Sequence, residues 1–267
     1  MEDWSYEKHN GPATWASKFP AAAGSKQSPI DIEPTVAQSH SKLLDFPLQW
    51  SYVSNKSLYL LNTGHGWKVN VDGEGSCLQG GPLNHKYQLA QFHCHWGKTD
   101  ETGSEHTVAG VMHPAEIHLV HWNTELFHSF DEAASNKKGL AVLGVFLQIG
   151  DEHAELRKLT GKMTQVSYRG QKIPLVDGFD PSTLIPADHA YWTYEGSLTT
   201  PPCYESVTWI VFKQPLQVSE QQLNKFRKLR SYGEGEANPG GEFFGHIIEN
   251  YRPPLPIGDR VLHTTPN

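Results

Sequence analysis

The sequence has few cysteines and no long apolar run. Three cysteines, Cys77, Cys94 and Cys203, occur among 267 residues, and their odd number and irregular spacing give no disulfide framework. This favours a reducing compartment. No stretch of 18 apolar residues occurs, so no transmembrane helix is expected. The start, MEDWSYEKHNGPATW, lacks the basic and apolar regions of a signal peptide, which predicts a cytoplasmic protein, or a secreted one whose leader was removed.

Charge is also scarce. Only 19% of the residues are charged, and the net charge of −7 is acidic. This balance argues against nucleic acid or an anionic membrane as the main partner. Glycine (24), proline (18) and tryptophan (8) are frequent, which favours a chain rich in loops and strands. We predict a single domain over residues 1–267, long enough to bury a substantial core, and we expect a monomer.

The strand signals are more frequent than the helix signals. The almost wholly apolar run LAVLGVFLQI predicts a central strand that is buried on both faces. The predicted strands are Leu58–Leu61, Trp67–Val71, Leu89–Trp96, Glu116–Trp122, Leu140–Ile149, Tyr191–Tyr194 and Val207–Phe212.

Two segments predict helices. Asp151–Met163 has helical composition but is interrupted by Gly161. In Ser219–Arg230, Ser219 and Gln222 form a capping-box pair at the start. The apolar stripe of this second helix consists of Leu223, Phe226 and Leu229.

The stretch QFHCHWG places two histidines in a period-two pattern. Such alternation is typical of a strand with two different faces. The residues of the apolar face are Ala90, Phe92, Cys94 and Trp96, and those of the other face are Gln91, His93 and His95. The two imidazoles then point the same way, roughly 6–7 Å apart by the rise of a strand. They would supply two ligands to a metal ion, which needs at least one more.

A third histidine comes from AEIHLVHW. In this predicted strand Glu116, His118 and Val120 share one face. The other face carries Ile117, Leu119 and His121. If the two strands are neighbours, His118 faces the histidine pair from about 4.8 Å away. Three imidazoles with one open position are typical of catalytic zinc, although each could instead be an ordinary core or surface histidine.

Several motifs together resemble the α-class carbonic anhydrases, over nearly the whole chain and in the same order. They are WSYEKHNGP near the start, QSPIDI (27–32), FHCHWG (92–97), SEHTV (104–108), AEIHLVHWN (115–123), GSLTTPP (196–202) and NYRPPLP (250–256). The resemblance implies a predominantly β domain with a large twisted, mostly antiparallel central sheet and short peripheral helices. It also implies a zinc enzyme for the reversible hydration of carbon dioxide to bicarbonate and a proton, by means of zinc-bound hydroxide.

The resemblance also implies the metal site. Zinc would be bound by His93, His95 and His118. These ligands would be oriented by Gln91, Glu116 and the backbone carbonyl of Asn250. Thr199 would donate its proton to Glu105, so that its oxygen can only accept a hydrogen bond from the hydroxide and thereby aims it at the substrate.

The remaining implied roles concern the substrate and the proton. Substrate would contact Thr199, Thr200 and an apolar wall formed by Val120, Val142, Leu198, Val207 and Trp209. His65, flanked by glycines in NTGHGW, would be the proton shuttle, and Tyr6, Asn62 and Thr200 would order the water chain. Taken singly, Glu105 could be a solvated acid, Thr199 a turn residue, His65 a plain loop histidine and the wall plain core.

Three features depart from the family pattern. Lys68 occupies a cavity position where a smaller polar residue is usual. Cys203 matches a position that secreted members use in a disulfide, but no cysteine lies near 22–24, where its partner would fall, so we predict a free thiol. The surface loop GEGEANPGG (233–241) is longer than expected.

Two other functions compete with carbon dioxide hydration. One is a catalytically silent binding module with the same fold, which loss of a zinc histidine would mark. The other is an esterase that uses the same zinc-bound hydroxide, which we expect only as a side reaction because the implied cavity is narrow and apolar.

Overall fold

The computed structural model describes residues 4–266, except the side chain of Lys42, so the ends of the predicted 1–267 domain lie outside the described residues. The strands are β1 (Asp31–Ile32), β2 (Gln38–Ser39), β3 (Gln49–Ser51), β4 (Ser57–Asn62), β5 (Trp67–Val71), β6 (Cys77–Gly80), β7 (Leu83–Trp96), β8 (Thr107–Val108), β9 (Ala115–Asn123), β10 (Leu140–Ile149), β11 (Lys172–Pro174), β12 (Tyr191–Gly196), β13 (Val207–Phe212), β14 (Leu216–Val218) and β15 (His263–Thr264). The α-helices are α1 (Lys42–Asp45), α2 (Phe130–Ala134), α3 (Ala154–Thr160) and α4 (Glu220–Phe226). Short 3₁₀ helices span Pro12–Ser17, Pro20–Ala23, Met163–Val166 and Pro181–Leu184.

One large sheet organises the described chain. It has 13 strands, with the main order β11-β4-β5-β7-β9-β10-β13-β12-β15-β2. Most neighbours are antiparallel, including β7 with β9 and β9 with β10, whereas β10 and β13 run parallel. A separate two-stranded sheet joins β1 and β8. The predicted fold class, a large mostly antiparallel sheet with a few short helices, is confirmed.

The central strand β10 separates two apolar clusters. Leu140, Val142 and Phe146 lie in the cluster on one face of the sheet. Their neighbours Ala141 and Leu143 lie in the larger cluster on the other face. Strand β10 is therefore buried on both faces, as its continuous apolar run predicted. Each large apolar side chain buried in this way contributes about 1.5–3 kcal/mol to stability.

All seven predicted strands form, but β7 begins at Leu83 rather than Leu89. The pairing of β7 with β9 shifts register between Leu89 and Gln91. Because such a bulge reverses which face a residue occupies, Leu89 is fully buried whereas Ala90 is only half-buried. The prediction that Ala90 continues the apolar face of Phe92 is therefore wrong. Because the alternation changes phase at the bulge, the pattern read from Phe92 did not extend to the first half of the strand.

Both predicted helices form but are shorter than expected. Helix α3 starts after His153, whose Nδ1 accepts a hydrogen bond from the Leu156 N–H, and it ends at Gly161, where the interruption was predicted. Helix α4 has the predicted capping box of Ser219 and Gln222 but ends at Phe226 instead of Arg230. Among the helices of residues 4–266, none combines the length and the apolar character needed to cross a bilayer.

Candidate metal centre

The three predicted histidines converge on one face of the sheet. Strands β7 and β9 are antiparallel neighbours, with His93 opposite His118 and His95 opposite Glu116. One nitrogen from each of His93, His95 and His118 lies within 4.8 Å of the other two. The Nε2 atoms of His93 and His95 are only 3.1 Å apart. This spacing suits three nitrogens that share one ion at about 2.0–2.1 Å.

Each imidazole is oriented by a hydrogen bond through its other nitrogen. His93 Nδ1 is 2.8 Å from Gln91 Oε1, and His95 Nδ1 is 2.7 Å from the carbonyl oxygen of Asn250. His118 Nε2 is 2.8 Å from a carboxylate oxygen of Glu116. Since all three partners are acceptors, each ring donates a proton to its partner and keeps a lone pair on the nitrogen that faces the centre.

Burial keeps these imidazoles neutral. Burial, and to a lesser degree the neighbouring His118, lower the pKa of His95 to about 3. Burial, followed by the nearby His95 and His118, also holds the pKa of His93 well below its usual value. Neutral imidazole is the form that binds a metal ion, so the site is prepared for a cation at neutral pH.

Glu116 is anchored from four directions. Its carboxylate accepts from the N–H groups of Glu105 and His106, at 2.9 and 2.8 Å, and contacts the rings of His106 and His118, at 2.7 and 2.8 Å. Burial would raise the pKa of Glu116, but the two histidines outweigh burial and hold it well below the usual value. An ionised, fixed Glu116 locks the orientation of the His118 ring.

Sequence reasoning missed His106. This buried residue holds Glu116 through Nδ1 and lies 2.7 Å from the Tyr194 hydroxyl through Nε2. His106 and Glu116 could also form a metal-binding group with His118, but their mutual hydrogen bonds already account for these contacts. The only signal was its position beside Glu105 in the motif SEHTV.

Glu105 points an unpaired oxygen at the centre. Its side chain is fully buried, and Oε1 accepts from the Arg252 N–H at 2.9 Å. Oε2 makes no hydrogen bond of good geometry and lies 3.3 Å from His95 Nε2. Burial raises the pKa of Glu105 well above its usual value, although the Thr199 hydroxyl and the Arg252 N–H oppose this rise. A buried acceptor beside the three imidazoles fits a site for a cation and its ligands.

The predicted apolar wall lies beside His118. The register of β9, β10 and β13 places Val120, Val142 and Trp209 side by side on one face. The Trp209 ring is centred 4.8 Å from the His118 ring. The five wall residues all belong to or pack against one cluster, and they are Val120, Val142, Leu198, Val207 and Trp209.

Comparison with known proteins gives the family. Residues 10–266 match the family model of the eukaryotic-type carbonic anhydrase. The chain belongs to this family. It is 44% identical over 261 residues to carbonic anhydrase 7 of Homo sapiens, with 97% of this chain and 96% of the relative covered. It is 42% identical over 262 residues to carbonic anhydrase 1 of Monodelphis domestica, with 97% of each chain covered. Carbonic anhydrases are zinc-dependent lyases that hydrate carbon dioxide, and this chain is one of them.

His65, the predicted proton shuttle, lies on a tight turn. Gly64 before it has φ +90°, a conformation that favours glycine. The imidazole stacks on Trp4, with ring centroids 3.7 Å apart, and lines a cavity of about 570 Å³ together with Tyr6. The backbone carbonyl of His65 accepts from Asn250 Nδ2 at 2.9 Å, so the turn is tied to the residue that orients His95.

Two of the three residues predicted to order water, Tyr6 and Asn62, have different surroundings. Tyr6 lines the same cavity as His65, and burial and then the charge of Glu105 raise the pKa of its hydroxyl. Asn62 is fully buried: its Nδ2 contacts the carbonyls of Val166, Ser167 and Arg230, and its Oδ1 accepts from the Gly64 N–H. The Asn62 amide therefore braces the loop, and its role in ordering a water chain stays a prediction.

Thr199 and Thr200 lie on the loop that follows β12. Thr199 is buried and contacts Glu105, whereas Thr200 is half-buried. The Thr200 carbonyl accepts from the Cys203 N–H at 2.9 Å, which turns the chain back toward β13. The loop thus holds two hydroxyl side chains in consecutive positions beside the wall.

Lys68 lies on β5, the strand next to the histidines of β7. It pairs with His93 across β5 and β7, and burial lowers the pKa of its ammonium. Its charge is one of the groups that lower the pKa of His93. The structure gives Lys68 no hydrogen bond or ion pair within residues 4–266, so its charge acts on the cavity without a neutralising partner there.

The three cysteines all lie within the described residues, and none is in a disulfide. Cys203 is fully buried, and burial raises the pKa of its thiol to about 11. The prediction of a free thiol at this position is confirmed.

Proposed function

We propose that the chain catalyses the reversible hydration of carbon dioxide to bicarbonate and a proton, with zinc held by His93, His95 and His118. The observation that supports this assignment is the orientation of the three imidazoles, each fixed through one nitrogen and open toward a common point through the other. Zinc bound by three histidines lowers the pKa of a water molecule toward neutrality, as is known for carbonic anhydrases.

Glu105 and Thr199 orient the attacking oxygen. Their side chains are in contact in the buried centre. When the Thr199 hydroxyl donates its proton to Glu105, its oxygen can only accept from the attacking group, which fixes the direction of a lone pair. Such orientation is worth several kcal/mol because it removes rotational freedom before the reaction.

The apolar wall binds the substrate and excludes water. Carbon dioxide has no net dipole and gains little from polar groups, so the surface of Val120, Val142 and Trp209 suits it. The bicarbonate product is an anion and leaves this surface readily. Thr200 and Leu198 are both half-buried, and we assign them to the edge of the wall.

A stopped-flow assay of carbon dioxide hydration tests the function. We expect activity that disappears when a strong chelator removes zinc and returns when zinc is restored. Hydration that is absent from the zinc-loaded protein would favour the silent binding module. An ester turned over with higher kcat/KM than carbon dioxide on the same preparation would favour the esterase.

We also propose a cytoplasmic location, because all three cysteines are free. Reductant is expected to leave the melting temperature of the protein unchanged, since no disulfide contributes to stability. Differential scanning fluorimetry with and without reductant measures this. Mass mapping of the protein from its natural source that finds an intramolecular bridge from Cys203 would contradict both the free thiol and the location.

Lys68 is expected to strengthen the binding of small anions in the cavity. A partly buried charge near the surface contributes on the order of 1 kcal/mol, so Lys68→Gln should raise the Kd of an anion such as thiocyanate roughly fivefold. Isothermal titration calorimetry on the zinc-loaded protein measures the change. The control is Lys56→Gln, because Lys56 pairs with Asp72 outside the centre. Equal Kd values for wild type and Lys68→Gln would contradict the prediction.

A further inference from the structure

A second pair of histidines lies at the edge of the large sheet. His263 begins β15, which runs parallel to β2 with His263 opposite Gln38, and His40 follows β2 directly. The His40 N–H donates to the carbonyl oxygen of Thr264 at 3.1 Å, which brings the two side chains together. Strands β10, β13 and β12 separate β15 from β9, so the pair lies roughly 20 Å from the zinc centre at the usual strand spacing.

The two rings are placed like the zinc ligands. The centroids of His40 and His263 are 4.9 Å apart, with an interplanar angle of 77°. Among the three zinc histidines the centroid distances are 5.0, 5.2 and 4.7 Å, and the angles are 75°, 90° and 53°. The His40–His263 pair falls inside both ranges, so one nitrogen from each ring can reach a common ion with only side-chain rotation.

The imidazoles of this pair make no hydrogen bond to any atom of residues 4–266 that the structure shows. The Nδ1 atoms of both rings are nevertheless fully buried. A buried polar nitrogen without a hydrogen-bond partner destabilises the folded state. A ligand that binds to these nitrogens would remove this cost.

The surroundings favour a metal ion over an anion. The pair lines a cavity of about 570 Å³ together with Lys26, Glu195 and Arg260. The Arg260 guanidinium is already bound to the carbonyls of Ile257, Glu195 and Pro256. Burial and then His40 lower the pKa of His263, and neither Lys26 nor Arg260 is among these causes. His263 therefore favours the neutral form that binds metals.

We propose that His40 and His263 form a second metal site, which binds a divalent transition-metal ion through one nitrogen of each ring. Water molecules complete the coordination. Two imidazoles select copper, nickel or zinc over magnesium or calcium, and copper binds most tightly in this series. Because the ligands come from β15 and from the end of β2, the bound ion fastens the C-terminal strand to the edge of the sheet and stabilises the folded state.

The test is a titration of the zinc-saturated full chain with Cu²⁺, followed by calorimetry and electron paramagnetic resonance. We expect one further equivalent of copper with nitrogen ligands and a rise of a few degrees in the melting temperature. In His40→Gln and His263→Gln this equivalent should bind at least tenfold more weakly. The matched control is His85→Gln, since His85 is another strand histidine but pairs with Glu125, and there the copper affinity should not change.

Two results would overturn the proposal. One is a wild-type protein that binds no further copper at about 100 µM, a concentration typical of weak sites. The other is a further equivalent that binds both variants as tightly as the wild type. If a variant does not fold, nuclear magnetic resonance of the wild type decides: copper must broaden the amide signals of Ser39 and Thr264 before those elsewhere, and broadening that begins elsewhere refutes the site.

Discussion

His93→Ala is expected to lose nearly all carbon dioxide hydration and most of the zinc affinity. Two of the three imidazoles would remain, and the lone pair that Gln91 directs at the ion through His93 would be gone. Replacing a residue that only orients a ligand typically costs 10–100-fold in metal affinity, so removing the ligand itself should cost more than about 100-fold. Loss of zinc removes the activated water, and activity falls with it.

Zinc content after dialysis against a competing chelator measures the loss directly. Gln91→Ala provides a graded control, because it removes only the hydrogen bond to His93 Nδ1 and should lower affinity by about 10–100-fold. Circular dichroism verifies that His93→Ala is folded. A one-to-one zinc content in folded His93→Ala under these conditions would exclude His93 as a ligand.

The cluster of His93, His95 and His118 could be predicted because its geometry is largely local. Alternation along β7 places His93 and His95 on one face, and the next strand of the same type supplies His118. What the pattern left open was whether these strands are neighbours. The structure shows that they are, with His93 directly opposite His118. The apolar wall was implied by the resemblance to the family, and the sequence supported it only in that Val207 and Trp209 share a strand face.

The supporting contacts that sequence reasoning missed join residues far apart in the chain. Arg252 supports Glu105 from 147 positions away, and the bonds of the Asn62 amide reach Val166 and Arg230, 104 and 168 positions away. No local pattern reveals which carbonyls contact the Asn62 amide. The register shift between Leu89 and Gln91 could not be predicted either, because a bulge inserts one residue into a strand without a signal in the composition.

His65→Ala is expected to lower kcat by tenfold or more in weakly buffering medium. Each hydration releases one proton, and water held by zinc has a pKa of about 7. Recombination of a proton cannot exceed about 10¹⁰ M⁻¹s⁻¹, so direct release to bulk water is limited to roughly 10³ s⁻¹. The fastest carbonic anhydrases reach about 10⁶ s⁻¹. A rate near this value requires a side chain that exchanges protons with buffer near neutral pH, and histidine is that side chain.

The structure explains why His65 suits this task. Its ring is half-buried, stacks on Trp4 and lines the cavity that also contains Tyr6. Gly64 has a positive φ that residues other than glycine rarely adopt, and the turn it forms places the imidazole in this cavity. A half-buried ring in this cavity can exchange protons with buffer and turn toward the centre by rotating about its side-chain bonds.

Separate kinetic constants distinguish a shuttle from a structural role. In His65→Ala, kcat should fall while kcat/KM for carbon dioxide stays nearly unchanged, because kcat/KM reports the attack on the substrate and not the later release of the proton. Added imidazole should restore kcat by carrying the proton in place of the missing ring. His9→Ala is the matched control, since His9 lines the same cavity but pairs with Glu7, and its kcat should not change. A kcat of His65→Ala that equals the wild-type value without imidazole would show that His65 is a plain loop histidine, and the proton would then leave by another route.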